Sequence, residues 1–507
     1  MDDSMNPPDA SAAAHNPVDG VLIAAAGTAH TWARAAPADR ARALAAVADT
    51  LEEARPELIA TADRESHLGT ARLNGELTRT TFQLRLFADQ ARSGAYYDVR
   101  IDRADPNWPT GPRPELRRYR TALGPVLVFA ASNFPFAFSV AGGDTASALA
   151  AGCPVVVKAH PGHPELSRET AAIVRRALAG AGAPDGVFAL IEGEQAGLDA
   201  LRHPALRAAA FTGSERGGLF LARIAADRPE PIPFYGELGS TNPVVVTERA
   251  AYGRTQEIAS GYAASLTLGA GQFCTNPGLL FVPAGEHGLV ERIAALLRAA
   301  PTAPMLGNRI AEGYRTVAEQ LSGLSGARRL VWPADDHQPA PRLLAMDVDA
   351  FVAAGSAASA ECFGPLGLIV TYRQLADLVP VLAALPGQLT ASVQGELAES
   401  SELGALTAVL ADRSGRVLWN QWPTGVSVTH AMQHGGPFPA TTTPTTTSVG
   451  SAAIERFLRP VAYQGVPQDL LPVPLRDDNP WNVPQQEQKQ GVVDAFVAQP
   501  SNSAVAM

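Results

Sequence analysis

Two hydrophobic periods divide this chain. Up to about residue 95 the apolar positions recur at helical spacing. Leu44, Val47, Leu51 and Leu58 follow Pro37, which sits where a first helical turn would begin, and Leu73, Leu77, Leu84 and Ala88 form a second stripe. Between 96 and 123 that period is lost and Pro106, Pro109, Pro112 and Pro114 accumulate, which predicts an extended arm or hairpin crossing a surface. From Gly124 the pattern changes to short unbroken apolar runs separated by helical stretches, as a parallel sheet covered on both faces requires. The runs 126–130, 155–157, 187–190 and 208–211 are predicted strands, with helices over 142–151, 164–181 and 194–202. Together they describe a doubly wound nucleotide-binding unit. The alternation resumes near Pro243 and continues to about Thr429, predicting a second α/β unit. Beyond it, 441–447 is threonine-rich, β-prone and interrupted by Pro444, and from Asp477 the chain is rich in Gln, Asn and Pro, the composition of a mobile tail.

Composition narrows the class. At 507 residues the chain is longer than a single hydrophobic core usually serves, so two or three domains are expected. A net charge of −10 with no cluster of Lys and Arg argues against nucleic acid or an anionic membrane as partner. No apolar run reaches membrane-spanning length, and the start Met1-Asp2-Asp3 lacks a basic leader, so a soluble cytoplasmic protein is expected. Three cysteines, Cys153, Cys274 and Cys362, suit a reducing compartment better than a disulfide framework. His430 and His434 have a metal-ligand spacing, but Gly435-Gly436-Pro437 follows at once and no acid separates them, so no metal site is assigned.

The candidate chemistry begins with Cys274 in Gly271-Gln272-Phe273-Cys274-Thr275-Asn276-Pro277-Gly278, after an apolar helical pattern that ends in glycines, where the backbone must turn and leave the thiol reachable. Upstream lies Glu237 in Glu237-Leu238-Gly239-Ser240-Thr241-Asn242-Pro243, at the end of a short predicted strand. A thiol nucleophile and a carboxylate base are the two reactive groups needed to oxidise an aldehyde through a covalent thioester. Asn133 follows the first strand of the sheet, where ligands gather, and its amide can donate to a developing oxyanion. Lys158 ends the second strand; with only two lysines among 40 basic residues, a compact ammonium at that place stands out against arginine. The turn Phe211-Thr212-Gly213-Ser214-Glu215-Arg216-Gly217-Gly218 lets backbone approach a ligand at a helix start.

These segments resemble those of aldehyde dehydrogenases over about 124–474, most closely the α-ketoglutaric semialdehyde (2,5-dioxopentanoate) dehydrogenases. The subfamily likeness rests on Ser139-Val140-Ala141-Gly142-Gly143-Asp144-Thr145, Lys158-Ala159-His160-Pro161 and His434-Gly435-Gly436-Pro437-Phe438-Pro439-Ala440-Thr441, which NADP-dependent fatty aldehyde dehydrogenases share. The resemblance implies an α/β fold with a doubly wound Rossmann-type cofactor domain (1–95 and 124–242), an α/β catalytic domain (243–429), and a small β oligomerisation arm (96–123 and 441–476), with 477–507 a mobile tail. It implies Cys274 as nucleophile, Glu237 as general base and Asn133 as oxyanion donor. Lys158, His160, Gly213, Ser214 and Arg216 would hold the adenosine side of the cofactor, Glu361 the nicotinamide ribose, and Phe363 would back the nicotinamide. Phe134, Phe138 and Phe273 would line a substrate tunnel, with His434 near its mouth. The cofactor is NADP or NAD. Ala159-His160-Pro161, which lacks an acidic residue, and Arg216 favour NADP, and Glu215 opposes it. The implied partners are a small aldehyde substrate and further copies of the chain in a homodimer or homotetramer. The implied reaction is oxidation of α-ketoglutaric semialdehyde to 2-oxoglutarate. The alternatives are NADP-dependent oxidation of a medium or long-chain aliphatic aldehyde, a non-redox thioester hydrolase, and a catalytically silent scaffold.

Overall fold

Three sheets organise the described residues of this computed structural model, namely 17–285, 288–334, 339–399 and 403–488. The first is five-stranded and parallel throughout. Val126–Phe129 is central, with Val155–Lys158 and Phe188–Ile191 on one side and Ala208–Thr212 and Phe234–Glu237 on the other. Val126, Leu127, Val155, Val156, Val157, Ala208 and Ala209 are all 0% exposed, so both faces are covered and the strands read as unbroken apolar runs. Chain order reverses around Val126–Phe129, which opens a crevice at the carboxyl ends of the strands, where Lys158, Thr212 and Glu237 stand at the last positions. The helices Gly143–Ala151, Pro164–Gly180 and Glu194–Arg202 connect these strands as the sequence predicts.

The second sheet has seven strands in the order Arg328–Val331, Arg342–Asp347, Leu366–Tyr372, Leu279–Pro283, Val244–Val246, Gln388–Gln394 and Ser414–Trp419. All its pairings are parallel except that of the edge strand Arg328–Val331. The α/β class is thus carried by two parallel sheets. Among the described residues no helix is long and apolar enough to cross a membrane.

The amino-terminal helices obey their stripes. Pro37–Glu53 starts on its proline and buries Leu44, Val47 and Leu51. Thr70–Ser93 buries Leu73, Leu77, Leu84 and Ala88 and stops at Gly94 in the left-handed region, φ 64. The proline-rich arm forms a third, four-stranded sheet in the order Leu458–Gln464, Leu116–Ala122, Val99–Asp102 and Gln485–Gln488.

Two segments differ from expectation. The threonine-rich run forms no strand of its own. Leu238 N donates to Ala440 O at 2.8 Å and Thr442 N donates to Gly236 O at 3.0 Å, so the run flanks the edge strand that ends in Glu237. The range 441–476 is therefore divided, and only Leu458–Gln464 of its strands joins the arm sheet. Likewise 477–507 is not uniformly a tail, because Gln485–Gln488 pairs in parallel with Val99–Asp102. An all-polar strand has no hydrophobic pattern to betray it; its backbone groups make the pairing. Residues 489–507 lie outside the described residues.

Gly271, in the loop before Leu279–Pro283, packs against the loop before the neighbouring strand Leu366–Tyr372 of the second sheet. Its φ is 68, and a Cβ there would overlap the backbone of Gly364 and Pro365. Gly271→Ala is expected to destabilise the protein by about 1–3 kcal/mol. Gly20→Ala, in the Pro17–Ala33 helix with nothing within 4 Å of its new methyl, should instead stabilise it by about 0.5–1 kcal/mol. Denaturation midpoints of the two variants check the pair, and equal shifts would contradict the close-approach argument.

Candidate active site

The loop that carries the thiol is shaped by backbone constraints. Helix Thr255–Thr267 gives way to Gly269, Ala270 and Gly271 at φ 57, 55 and 68. A left-handed alanine costs on the order of 1 kcal/mol, so the surroundings must impose this turn. They do so through amides. Asn276 Nδ2 donates to Gly271 O (2.8 Å) and Leu266 O (3.1 Å), and Asn242 Nδ2 donates to Cys274 O (2.8 Å) and Asn276 O (2.9 Å). Asn242 is itself held by Gln388 Oε1, which accepts from Thr241 N and Asn242 N, each at 2.9 Å. The Asn of the Glu237 motif thereby staples that motif to the Cys274 loop, in which Cys274 is half-buried as a residue.

Glu237, 3% exposed, ends its strand facing this thiol. His434 Nε2 stands 2.9 Å from Glu237 Oε1 and 3.6 Å from Cys274 Sγ. The other carboxylate oxygen accepts a short hydrogen bond from Ser448 Oγ. One ligand atom from each of Glu237, Cys274 and His434 lies within 4.8 Å of the others, so the three can act on a single reacting atom. The same set could chemically hold a divalent cation, a grouping the sequence gives no sign of.

Burial pushes the Glu237 carboxyl up, but His434, by charge and hydrogen bond, and the Ser448 hydroxyl outweigh it and leave Glu237 below the usual carboxylate range. Burial and then the Glu237 charge push the Cys274 thiol well above its ordinary value. The resting proton is on sulfur and the resting negative charge on the carboxylate.

His434, expected near the mouth of a tunnel, stands beside the acid and the thiol. It is 1% exposed and packed between acid and thiol, because Ser448 N and Ser448 Oγ bond its carbonyl at 2.9 and 3.1 Å and His434 N bonds Thr447 Oγ1 at 2.9 Å. His430 is exposed and faces Ser451 Oγ at 3.1 Å, so the two histidines do not form a pair.

Asn133 is brought to the same loop, donating Nδ2 to Gln272 O at 3.1 Å, with one N–H of the amide left over. Phe134, Phe138 and Phe273 gather beside it: Phe134 is 5.4 Å from each of the other two rings, and Phe138 is 6.3 Å from the His434 ring. Two side chains absent from the sequence reading complete this wall. Arg72 lies over Phe273 (4.8 Å) and Arg79 over Phe138 (5.2 Å).

The residues assigned to a cofactor lie along the crevice. Lys158 makes no hydrogen bond or ion pair among the described residues, although burial lowers its pKa and Glu194 partly restores it. His160 Nδ1 accepts from Gly162 N at 3.0 Å, and burial, His163 and Lys158 push the imidazole down to about 3, so it is neutral at physiological pH. Gly213 N donates to Glu237 O at 3.1 Å, and Ser214 caps the exposed start of helix Glu215–Ala226, accepting from Gly217 N at 3.3 Å. Arg216 is exposed there. Glu361 and Phe363 line one cavity with Thr241 and Phe273. Burial pushes the Glu361 carboxyl up to about 7, against a hydrogen bond from Ser240 backbone and with repulsion from Glu215. Gly239 permits the approach, since a Cβ there would overlap the Glu361 carboxylate. An unpaired ammonium, an open helix N-terminus and a carboxyl on the cavity wall suit a dinucleotide's ribose and phosphate groups.

Beyond the arginines, the sequence reading missed Ser448 as a partner of Glu237. No local signal marks it, because its position depends on the threonine run docking at the sheet edge.

Comparison with known proteins places this geometry. The aldehyde dehydrogenase family model matches residues 8–315. The chain is 48% identical to α-ketoglutaric semialdehyde dehydrogenase 2 of Azospirillum brasilense, over 89% of this chain and 87% of that one. It is 41% identical to an α-ketoglutaric semialdehyde dehydrogenase of Acinetobacter baylyi, over 88% and 85% of the two chains. The crystal structure of an NAD-dependent aldehyde dehydrogenase from Sinorhizobium meliloti superposes with a TM-score of 0.72 at 25% identity, covering 89% of this chain and 87% of that one.

Because burial and then the Glu237 charge hold the thiol protonated, alkylation of Cys274 by iodoacetamide should be slow at neutral pH and keep rising past about pH 8.5, the ordinary thiol midpoint. Glu237→Gln removes that charge and should shift the profile to lower pH, read on the Cys274 peptide by mass spectrometry. A profile unmoved by the substitution would refute the electrostatic coupling.

Proposed function

The chain belongs to the aldehyde dehydrogenase family, and from that premise we propose that it oxidises α-ketoglutaric semialdehyde to 2-oxoglutarate through a thioester on Cys274. The observation that carries the substrate is the 48% identity, spread over 89% of the chain, to a protein named for that activity. As a member of this family it is an oxidoreductase that uses NAD(P).

In this reading the thiol proton leaves to water as the aldehyde is attacked, while Glu237, ionised and held by His434 and Ser448, is kept for the later step. The Nε2–H of His434, 3.6 Å from sulfur, steadies the thiolate that forms. Sulfur then bonds to the aldehyde carbon, and the spare N–H of Asn133 and the backbone N–H of Cys274 receive the oxyanion. A bound nicotinamide supplies the hydride acceptor. Lys158, Gly213, Ser214 and Arg216 would hold its adenosine side, and Glu361 and Phe363 its nicotinamide end. Glu237 then takes a proton from water that attacks the thioester, the C–S bond breaks to return the sulfur, and the acid leaves.

We assign NADP as the favoured cofactor, because Lys158-Ala159-His160-Pro161 has no acid to repel a 2′-phosphate and Arg216 is exposed to receive one. His160 does not contribute charge, being neutral. Three unpaired cysteines suit a reducing compartment, and we place the protein in the cytoplasm. The strand Leu458–Gln464 ends the arm sheet at an edge with no partner strand among the described residues, and we assign it to contact between copies in a homodimer or homotetramer.

A panel of α-ketoglutaric semialdehyde, pentanal and longer alkanals, run with NAD and with NADP, tests the proposal by absorbance of the reduced cofactor. The expected result is the highest kcat/KM for the semialdehyde with NADP. A higher value for long alkanals would establish the fatty-aldehyde alternative instead, and thioester hydrolysis without reduced cofactor would defeat the redox scheme. Cys274→Ala should abolish turnover, and Glu237→Gln should slow it by roughly two to four decades.

A further inference from the structure

Helix Thr70–Ser93 turns one charged face inward. Arg72, Glu76 and Arg79 are spaced four and three apart, so they lie on one side of the helix. Glu76, 5% exposed, is committed to the neighbouring backbone, its Oε1 accepting from Phe136 N at 2.8 Å and Ala137 N at 3.0 Å. That clamp fixes the segment bearing Phe134 and Phe138. Arg72 Nη2 donates to Asn133 O at 2.6 Å, and its guanidinium lies over Phe134 and Phe273 at 5.2 and 4.8 Å. The Arg79 guanidinium lies over Phe134 and Phe138 at 5.6 and 5.2 Å.

Neither arginine has an ion-pair partner among the described residues. Arg79 Nε and Nη2 and Arg72 Nη1 are shielded from water with no hydrogen-bond acceptor. A buried donor without a partner is costly, and cation–π contact satisfies charge but not directional N–H groups. Burial also lowers both guanidinium pKa values, with Glu76 partly restoring them and, for Arg79, Cys274 and Glu237 as well. The Phe138 ring connects this site to His434 at 6.3 Å, and His434 Nε2 is 3.6 Å from Cys274 Sγ. A chain of contacts, Arg79 over Phe138, Phe138 beside His434 and His434 beside Cys274, therefore joins the charged donors to the nucleophile.

We propose that Arg79, supported by Arg72, binds the carboxylate of an oxo-acid aldehyde whose aldehyde carbon lies at Cys274 and whose methylenes lie on Phe134 and Phe138. A guanidinium fork offers two parallel N–H groups to a carboxylate, which fits the unpartnered Nε and Nη2 of Arg79. This assignment rests on the proposed substrate and supplies its specificity. It also explains why a cationic pair is kept inside an otherwise phenylalanine-lined wall.

The test compares kcat/KM for α-ketoglutaric semialdehyde with that for pentanal, its uncharged counterpart of equal length, in wild type, Arg79→Gln, Arg79→Lys and Arg72→Gln. Arg79→Gln should lower the ratio of acid to neutral aldehyde by about 10- to 100-fold, mainly through KM for the acid, as loss of a charge-assisted hydrogen bond does. Arg79→Lys should lie between, keeping charge but losing the fork, and Arg72→Gln should have the smaller effect. A purely structural arginine would depress both substrates in proportion, so an unchanged ratio in Arg79→Gln overturns the assignment. In wild type, pentanoate should compete with the semialdehyde at least about tenfold more tightly than the neutral pentanamide does, and this needs no variant to fold. Equal inhibition by the two also overturns it. A wild type that shows no preference for the acid over pentanal disproves the proposed substrate; a preference that survives Arg79→Gln disproves the arginine site alone.

Discussion

A carboxylate buried beside a thiol is the constraint from which the rest of this structure follows. Glu237 is 3% exposed, and among the described residues no arginine or lysine forms an ion pair with it. An ionised carboxyl in such a place must be met by donors, and His434 Nε2 and Ser448 Oγ meet it. Both come from one late segment of the chain, which has to be brought across the end of the first sheet to deliver them. Backbone bonds of Leu238 to Ala440 and of Thr442 to Gly236 carry out that docking. Burial and then this carboxylate raise the thiol, so protein-wide topology sets the protonation of one sulfur.

The polar residues of the two motifs serve this arrangement more than they touch chemistry. Asn242 ties the Glu237 run to Cys274 O and Asn276 O, Gln388 ties down the residues after Glu237, and Gly271 and Gly239 remove side chains where backbone or Glu361 must approach. Together they hold the loops that carry the acid and the thiol at bonding distance. The short distance between acid and thiol is thus the product of a chain of staples, and it would not survive loosening of any one of them.

Much of this was legible beforehand, and the reasons are physical. The strands of the first sheet are buried on both faces, so their sequences carry no polar alternation and stand out as apolar runs such as Val155, Val156 and Val157. Leu44, Val47, Leu73 and Leu77 mark helices because only one stripe of each is buried. The strand Gln485–Gln488 was illegible because it pairs through backbone alone. The threonine run misleads in the opposite sense, its β-prone composition being spent on two edge bonds and a turn at the active site. Arg72 and Arg79 resist pattern reading because charged positions on an amphipathic helix are ordinarily its wet face. Their i, i+7 spacing with Glu76 between was the available signal, but the phenylalanines they cover come from distant segments. His434 was found by its motif and misplaced in space for the same reason.

The central claim is that Cys274 and Glu237 act in sequence on one carbon, the sulfur to form an acyl bond and the carboxylate to let water break it. Rapid quenching of Glu237→Gln after mixing with α-ketoglutaric semialdehyde and oxidised cofactor, followed by peptide mass mapping, tests it most directly. The account predicts an acyl adduct on the Cys274 peptide that accumulates in step with reduced cofactor and then persists. Reduced cofactor formed with no adduct on that peptide, or an adduct that decays as fast as in the unsubstituted enzyme, would contradict it.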